Sequence, residues 1–298
     1  MSRPVTLIVN PAAGGGRAAR VLPAVQRALA QHGVDFTTEL TTDIEHAREL
    51  ARAAAADGRV AASLGGDGLA GAIAGAIAGL PGALLGVLPG GRGNDLARVL
   101  GIPADAAAAC AVIAHGHEQD LDLGAVNGRT FIGIASAGFD SDANRIANEA
   151  PARLGNLVYA YGAIRALLAW RPARFELELE PAGGTGAPER RTFSGYSFAA
   201  ANSKAYGGGM FIAPDAELDD GLLDVVITEQ VSKLRFLISL PKVFKGTHVD
   251  NPEVHVLRTR ELRVSADRPF TVYADGDPIA ELPATISALP RALRVLVP

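Results

Sequence analysis

Apolar and polar positions alternate on two different rhythms along this chain, and the change of rhythm near residue 120 divides it. Through the first hundred residues, strand-forming runs at 5–10, 35–40, 60–64 and 83–88 are separated by stretches of helical periodicity at 17–31, 43–56 and 69–79. Short runs with no wet face, each followed by a helix, predict a parallel sheet covered on both sides. Asp43, followed by Glu45 and His46, reads as a helix cap with acid in the first turn. Residues 94–100 and 105–115 predict two more helices, the first ended by Gly101-Ile102-Pro103.

Beyond residue 120 the period shortens to two. Residues 120–126 and 129–135 flank Asn127-Gly128, a type I′ turn signal, and predict an antiparallel hairpin. Residues 175–180 alternate strictly, as a half-exposed strand does, and further strands are expected at 192–202, 222–228, 254–264 and 270–274. Helices are expected at 152–169 and 231–245, and the Gly/Pro-rich stretch 181–188 reads as a hairpin tip. The expected organisation is an α/β domain over 1–120 with a parallel sheet and a mainly antiparallel, β-sandwich-like domain over 121–289. The last strand, around Arg294-Val295-Leu296 within 290–298, is expected to rejoin the first domain.

Composition narrows the function. The chain has 298 residues, 48% of them hydrophobic and 20% charged, which is a globular balance with room for two cores. A net charge of −4 gives no basic footprint for nucleic acid. One cysteine, Cys110, excludes an internal disulfide and a cysteine zinc cluster and fits a reducing cytosol. The N-terminus runs directly into an apolar strand, so no signal peptide is expected. Residues 69–88 are uncharged, with Gly71, Gly75 and Gly79 at the spacing of membrane helix-packing motifs, but Pro81-Gly82 splits the run. A helix of about ten residues spans only half of a bilayer core. The six histidines show no metal spacing beyond His115-x-His117, which reads as solvated, and no Gly-x-Ser-x-Gly elbow is present.

The chemistry concentrates in glycine-bracketed loops that follow strands. Gly65-Gly66-Asp67-Gly68 and Gly90-Gly91-Arg92-Gly93-Asn94-Asp95 each join an apolar run to a helix. Glycine lets backbone approach a bulky anion, and a helix N-terminus aims amide groups and a positive dipole end at phosphate. The aspartates in these loops repel a bare phosphate and suit a magnesium-bound one. Asn10-Pro11 with Gly14-Gly15-Gly16 forms a third such loop after the first strand, although many strand–helix turns are glycine-rich. None is a P-loop or a Gly-x-Gly-x-x-Gly fingerprint. The 231–245 helix carries Leu234, Leu237, Ile238 and Phe244 beside Lys233, Arg235, Lys242 and Lys245. Such a basic amphipathic helix either touches anionic lipid or packs on the β domain.

Taken in order, these loops resemble the diacylglycerol kinase catalytic-domain family, bacterial lipid kinases related to sphingosine and ceramide kinases. The later segments Ala137-Gly138-Phe139-Asp140, Asn202 with Tyr206-Gly207-Gly208-Gly209-Met210, and Leu218-Asp219-Asp220-Gly221-Leu222-Leu223 are similar to its second-domain motifs. The resemblance covers nearly the whole chain. It implies Mg²⁺-dependent transfer of the γ-phosphate of ATP, or another nucleoside triphosphate, to a lipid hydroxyl such as that of diacylglycerol, at a cleft between the domains. By the same resemblance Asn10, Pro11, Gly14, Thr41, Gly65, Gly66, Asp67, Gly68, Leu69, Arg92, Asn94 and Asp95 line the nucleotide site. Asp67 is implied in catalysis as the magnesium organiser, with Asp95 beside it, and Asp277 as the general base. Asp220, with backbone oxygens of Glu217 and Leu222, matches a second magnesium position, although Asp219-Asp220-Gly221 also reads as a plain turn, as does Asp275-Gly276-Asp277.

The chain departs from the family where it would touch the donor. Leu69 stands in place of a threonine, Gly71 and Ala72 replace an Asn-Glu pair, Arg92 replaces a threonine, and Asp277 replaces a glutamate. A guanidinium binds phosphate strongly and offers a substitute contact. Two alternatives stay open: a weak or inactive homologue that binds lipid or nucleotide, and a kinase of a soluble metabolite. The implied partners are a lipid substrate and a peripheral membrane surface reached from the cytoplasm, with monomer or homodimer undecided.

Overall fold

The computed structural model describes residues 3–149 and 158–298. In the first half β1 (Val5–Val9), α1 (Ala13–Gln31), β2 (Phe36–Leu40), α2 (Ile44–Ala56), β3 (Val60–Gly65), α3 (Asp67–Ile77), β4 (Leu85–Pro89), α4 (Asp95–Val99) and α5 (Ala106–His115) alternate as expected. The strands are parallel in the order β2-β1-β3-β4. The apolar residues of β1, β3 and β4 are fully buried because helices cover the sheet, with α1 packed on α5 and α2 on α3. Asp43 caps α2 by accepting from His46 N at 2.9 Å, as the sequence predicts.

The second half contains β5 (His117–Val126), β6 (Arg129–Phe131), β7 (Ile134–Gly138), α6 (Phe139–Glu149), α7 (Val158–Ala169), β8 (Ala173–Pro181), β9 (Glu189–Ala201), β10 (Leu223–Glu229), α8 (Lys233–Val243), β11 (Val254–Ala266), β12 (Thr271–Ala274), β13 (Asp277–Glu281) and β14 (Ala284–Val297). Its pairings are antiparallel, and its core is aromatic. Tyr196 stacks on Phe236 at 3.9 Å between ring centres and on Trp170 at 5.8 Å.

Two long strands run through both cores. β5 and β14 pair antiparallel from His117 with Val297 to Val126 with Ile286. Leu121, Leu123, Leu293 and Val295 belong to the α/β core, whereas Val126, Ala284 and Ile286 belong to the aromatic one. β14 also pairs with β11 at one end and, through Val295 and Leu85, parallel to β4 at the other. Its register shifts between Leu289 and Leu293, where Arg291 adopts a φ of 50°. Asp122 of β5, fully buried, pins that bulge: Oδ1 accepts from Arg291 N at 2.7 Å and Oδ2 from Gly221 N at 2.6 Å.

Several expectations change on folding. The strand expected over 129–135 breaks at 132–133, because the N–H groups of Ile132, Gly133 and Ile134 turn to the Asp275 carboxylate. Of the helix expected over 152–169, the part from Val158 is α7, and residues 150–157 lie outside the described residues. Helix α6 was hidden by its polar sequence, and β13 and most of β14 by prolines and half-exposed faces. No helix among the described residues is long and apolar enough to cross a membrane. The glycines of α3 instead admit the other domain: a β-carbon on Gly75 would lie 2.5 Å from Thr130 Oγ1, and one on Gly71 3.6 Å from Asp275 Oδ2.

The Asp122 contacts generate a stability prediction. Replacing Asp122 by alanine strands two part-buried N–H donors and loosens the β14 bulge, so denaturant unfolding should show a loss of about 1–3 kcal/mol. An unchanged midpoint would show that the bulge does not depend on this carboxylate.

Candidate active site

Four loops meet at the carboxyl edge of the parallel sheet. After β1, Asn10 accepts from Ala12 N at 3.1 Å and donates its own N–H to Leu64 O at 3.2 Å, which binds this loop to β3. Gly14, Gly15 and Gly16 take φ values of 61°, 65° and 81°, so regular right-handed helix begins only at Arg17. A β-carbon on Gly14 would come within 2.7 Å of Gly90 O, and Pro11 lies half-buried in the same loop. After β2, Thr41 donates both its N–H and its hydroxyl to Val9 O, at 2.8 and 3.2 Å. Asn10, Gly14 and Thr41 are therefore held along one edge, outside the lining of the main cavity.

The other two loops carry the charge. Gly66 caps α3 in an extended conformation and Asp67 opens the helix, with Gly65 buried at the end of β3 and Gly68 exposed. In the fourth loop Asn94 takes a left-handed φ of 53° and spends its side chain on the loop itself. It accepts from Gly91 N at 2.9 Å and donates to Gly91 O at 3.1 Å. Asp67 Oδ1 accepts from Leu96 N at 3.0 Å, so one loop's acid fastens the other loop's helix. The Oδ2 atoms of Asp67 and Asp95 lie 3.0 and 3.3 Å from where a β-carbon on Gly93 would stand. Glycine at 93 keeps that space open. Burial, together with the neighbouring Asp95 charge, holds the Asp67 carboxyl above its ordinary range, against the lowering effect of the Leu96 N–H.

The second domain closes the site from the opposite side. Gly207, Gly208 and Gly209 all have left-handed φ values, and Gly208 N donates to Asp95 Oδ2 at 2.7 Å across the cleft. Asp95 also pairs with Arg98, whose guanidinium reaches Gly93 O at 3.2 Å. Asp275, in a turn with φ of 52°, accepts from Ile132, Gly133 and Ile134 N–H at 2.8, 2.9 and 3.2 Å. Desolvation still pushes its carboxyl up to about 6, with the Asp67 charge adding to the effect. Asn202, fully buried, ties β5 to the break between β6 and β7 by donating to Asp122 O and Ile132 O at 3.0 and 2.9 Å. Together these walls enclose a cavity of about 600 Å³ lined by Asp67, Arg92, Asp95, Tyr206, Gly208 and Asp275, among others.

The sequence-derived site residues divide in this geometry. Gly66, Asp67, Gly68, Arg92 and Asp95 face the cavity. Leu69 does not: its side chain is buried against Gly65, so this position presents no side-chain group to a nucleotide. Asp277 is exposed at the start of β13 and lines an adjoining recess of about 420 Å³ with Arg48, Arg52 and Arg129; the recess shares Gly68 and Asp275 with the cavity. Sequence reasoning gave no role to Asp275 or Gly208, whose contacts are with residues far along the chain. Arg98 had a legible signal in its three-residue spacing from Asp95.

The two implied magnesium positions differ. Asp67 and Asp95 bring two carboxylates to a cavity wall, the donor set a magnesium ion uses when phosphates and water complete its shell. At the second-domain position the Asp220 carboxylate is already engaged. Asp220 Oδ1 accepts from Leu222 N at 2.9 Å, its Oδ2 pairs with Arg258 of β11, and Glu217 is exposed. Arg258 also reaches Asp224 at 3.8 Å. No group of three or more acidic, His or Cys side chains among the described residues is arranged for a metal. A guanidinium supplies the positive charge there.

The chain matches two families in succession: the diacylglycerol kinase catalytic domain over residues 4–126, and the YegS C-terminal NAD kinase beta sandwich-like domain over 133–297. A Mycobacterium tuberculosis diacylglycerol kinase is 36% identical over 301 residues, covering 99% of this chain and 95% of that protein. A Bacillus subtilis diacylglycerol kinase is 28% identical, covering 98% and 95%. Among solved structures, one from Bacillus anthracis str. Sterne aligns with a TM-score of 0.84 at 22% identity, over 99% of this chain and 95% of that one. At such identity the likeness speaks for the fold.

The raised carboxyls predict a pH slope in stability. A group titrating near 6 when folded and near 3.8 when unfolded holds its proton more tightly in the fold. Its contribution is full below the lower value and is lost as pH rises through the upper one, by about 1–3 kcal/mol. Asp224, pushed to about 6 by burial and by Asp215 and Glu217, titrates in the same window. Unfolding measured at pH 4 and pH 7 should therefore show wild type weaker at the higher pH, with a smaller difference in Asp275→Asn. An identical difference in the two proteins would place the raised carboxyl elsewhere.

Proposed function

This chain belongs to the diacylglycerol kinase family, and from that premise we propose that it transfers the γ-phosphate of ATP to the free hydroxyl of a diacylglycerol-like lipid. The observation that carries the reading is the facing of two acidic glycine loops, from one domain, by the Gly208 turn and Asp275 from the other, across a cavity of about 600 Å³. In this reading the first domain spans 1–120 with 290–298, the second spans 121–289, and the enzyme works from the cytoplasm at a membrane surface.

Phosphoryl transfer needs alignment and charge neutralisation more than covalent help. The Asn10–Gly14 and Thr41 loops hold the nucleotide at the sheet edge, and the Gly65–Gly68 amides at the start of α3 face its phosphates. Arg92, exposed on the cavity wall, takes phosphate charge in place of the hydroxyls missing at positions 69 and 92. Asp67 and Asp95 are the groups that would hold magnesium, which when bound offsets the charge of the triphosphate. Arg98 and Gly208 N–H hold the Asp95 carboxylate fixed in direction. Asp277 accepts the proton of the attacking hydroxyl, and Asp275 fixes the turn that carries it. A second reading gives that proton to Asp275, favoured by its place on the cavity wall and its pKa near 6.

Radiolabelled ATP with dispersed diacylglycerol should yield labelled phosphatidic acid, and Asp67→Ala should abolish it while the protein still unfolds cooperatively. Nucleotide binding with no turnover on any lipid would instead favour a binding homologue, the reading that buried Leu69 and Ala72 support.

The two candidate bases separate by titration. Asp277→Asn should lower kcat by about 10²–10⁴ with nucleotide affinity retained if Asp277 is the base. If Asp275 is the base, Asp275→Asn removes the acidic limb of the kcat profile near pH 6, whereas Asp277→Asn leaves it in place.

A further inference from the structure

Helix α8 is mounted with its apolar side outward. At 100° per residue, Leu234, Leu237, Ile238 and Pro241 fall within an arc of about 100°, and Phe236 and Val243 lie opposite. Phe236 anchors the inner side on Tyr196, and the flanks are fastened by polar contacts. Arg235 binds Glu253 through two bonds of 3.0 and 2.7 Å, Lys242 donates to Asn251 at 2.6 Å, and Asn251 donates to Ser239 at 3.3 Å. No residue of the helix is buried, and Leu234, Leu237 and Ile238 are 67%, 47% and 65% exposed. Helix α7 repeats the arrangement. Leu167 points into the aromatic core while Tyr161, Ile164 and Leu168 form an outer stripe, the last two 55% and 70% exposed. Lys233 Nζ donates to Leu168 O at 2.7 Å, so the two stripes adjoin.

An apolar face of this kind marks an interaction site. We propose that the α7 and α8 stripes form one ledge that seats on an anionic lipid bilayer and holds the mouth of the cavity against it. This rests on the lipid kinase reading and names the surface from which the substrate enters. Two observations select the occupant. Phe244, one residue beyond α8, is exposed and also lines the cavity, so the ledge leads into the site. In a chain of net charge −4, the two helices carry no acid: Arg165, Lys233 and Lys242 are basic, with Lys245 following, and the charge of Arg235 is already taken by Glu253. A second copy docked face to face would oppose like charges without an acid from either helix, whereas anionic headgroups complement them.

Co-sedimentation with phosphatidylglycerol–phosphatidylcholine vesicles tests this directly. Leu168→Ser/Leu234→Ser/Ile238→Ser should bind at least about tenfold more weakly than wild type. The same variant should keep its unfolding midpoint and wild-type activity on short-chain diacylglycerol dispersed in water. Leu237→Cys adds an accessible thiol to a chain whose Cys110 is buried, so an environment-sensitive dye there should shift to the blue on mixed vesicles and less so with added salt. Equal vesicle binding by wild type and the triple variant, or no dye shift, overturns the ledge. A concentration-dependent dimer that the triple variant dissociates, without vesicle binding by wild type, overturns it in favour of a second copy. Failure of the kinase reading looks different: neither protein phosphorylates dispersed lipid, yet vesicle binding still separates them.

Discussion

The geometry of the cleft depends on one hydrogen-bonded ribbon. β5 and β14 pair along most of their length, and each contributes side chains first to one core and then to the other. Pulling the domains apart would break this ladder and expose apolar residues of both cores together. The loop-bearing carboxyl edge of the parallel sheet and the second domain's wall are thus kept within side-chain reach. The buried Asp122 carboxylate strengthens the coupling, since it fastens the β14 bulge and the 219–222 turn to the same strand.

On that frame, the cleft holds three carboxylates from three separated segments. Asp67 and Asp95 come from successive loops of the first domain and Asp275 from a turn of the second. Bringing like charges together in a half-buried space is unfavourable. The structure offsets it with N–H donors to each acid and with Arg98 on Asp95. Burial raises the Asp67 and Asp275 carboxyls, and the repulsion that remains adds to it. Asp220 and Asp224 share Arg258, a cation the chain supplies itself.

The membrane-like signals in the chain also sort by position. The glycine spacing of α3 resembles a helix-pairing motif, yet its small residues face Thr130 and Asp275 of the second domain. Close approach of a helix to a sheet needs the same absence of side chains as close approach of two helices. The apolar residues of α8 suggest ordinary packing by their periodicity, and the structure turns them to solvent. Periodicity records that a helix has two sides, not which one faces the core.

Local sequence was sufficient wherever structure is set by neighbours along the chain. The alternation of buried strands and helices, the Asp43 cap, the glycine loops and the family resemblance were all legible, because burial pattern, capping and left-handed turns depend on a few adjacent residues. The fate of Asn94, spent on its own loop, and of Leu69, folded against Gly65, lies within four residues yet depends on backbone angles that residue types alone do not specify. Only the tertiary structure broke the strand at 132–133, since the carboxylate that takes its N–H groups comes from residue 275. The same holds for the guanidinium on Asp220, the Gly208 contact to Asp95 and the path of β14 through both cores. Each joins positions dozens of residues apart, where chain order carries no distance and only the packed fold brings charge to charge.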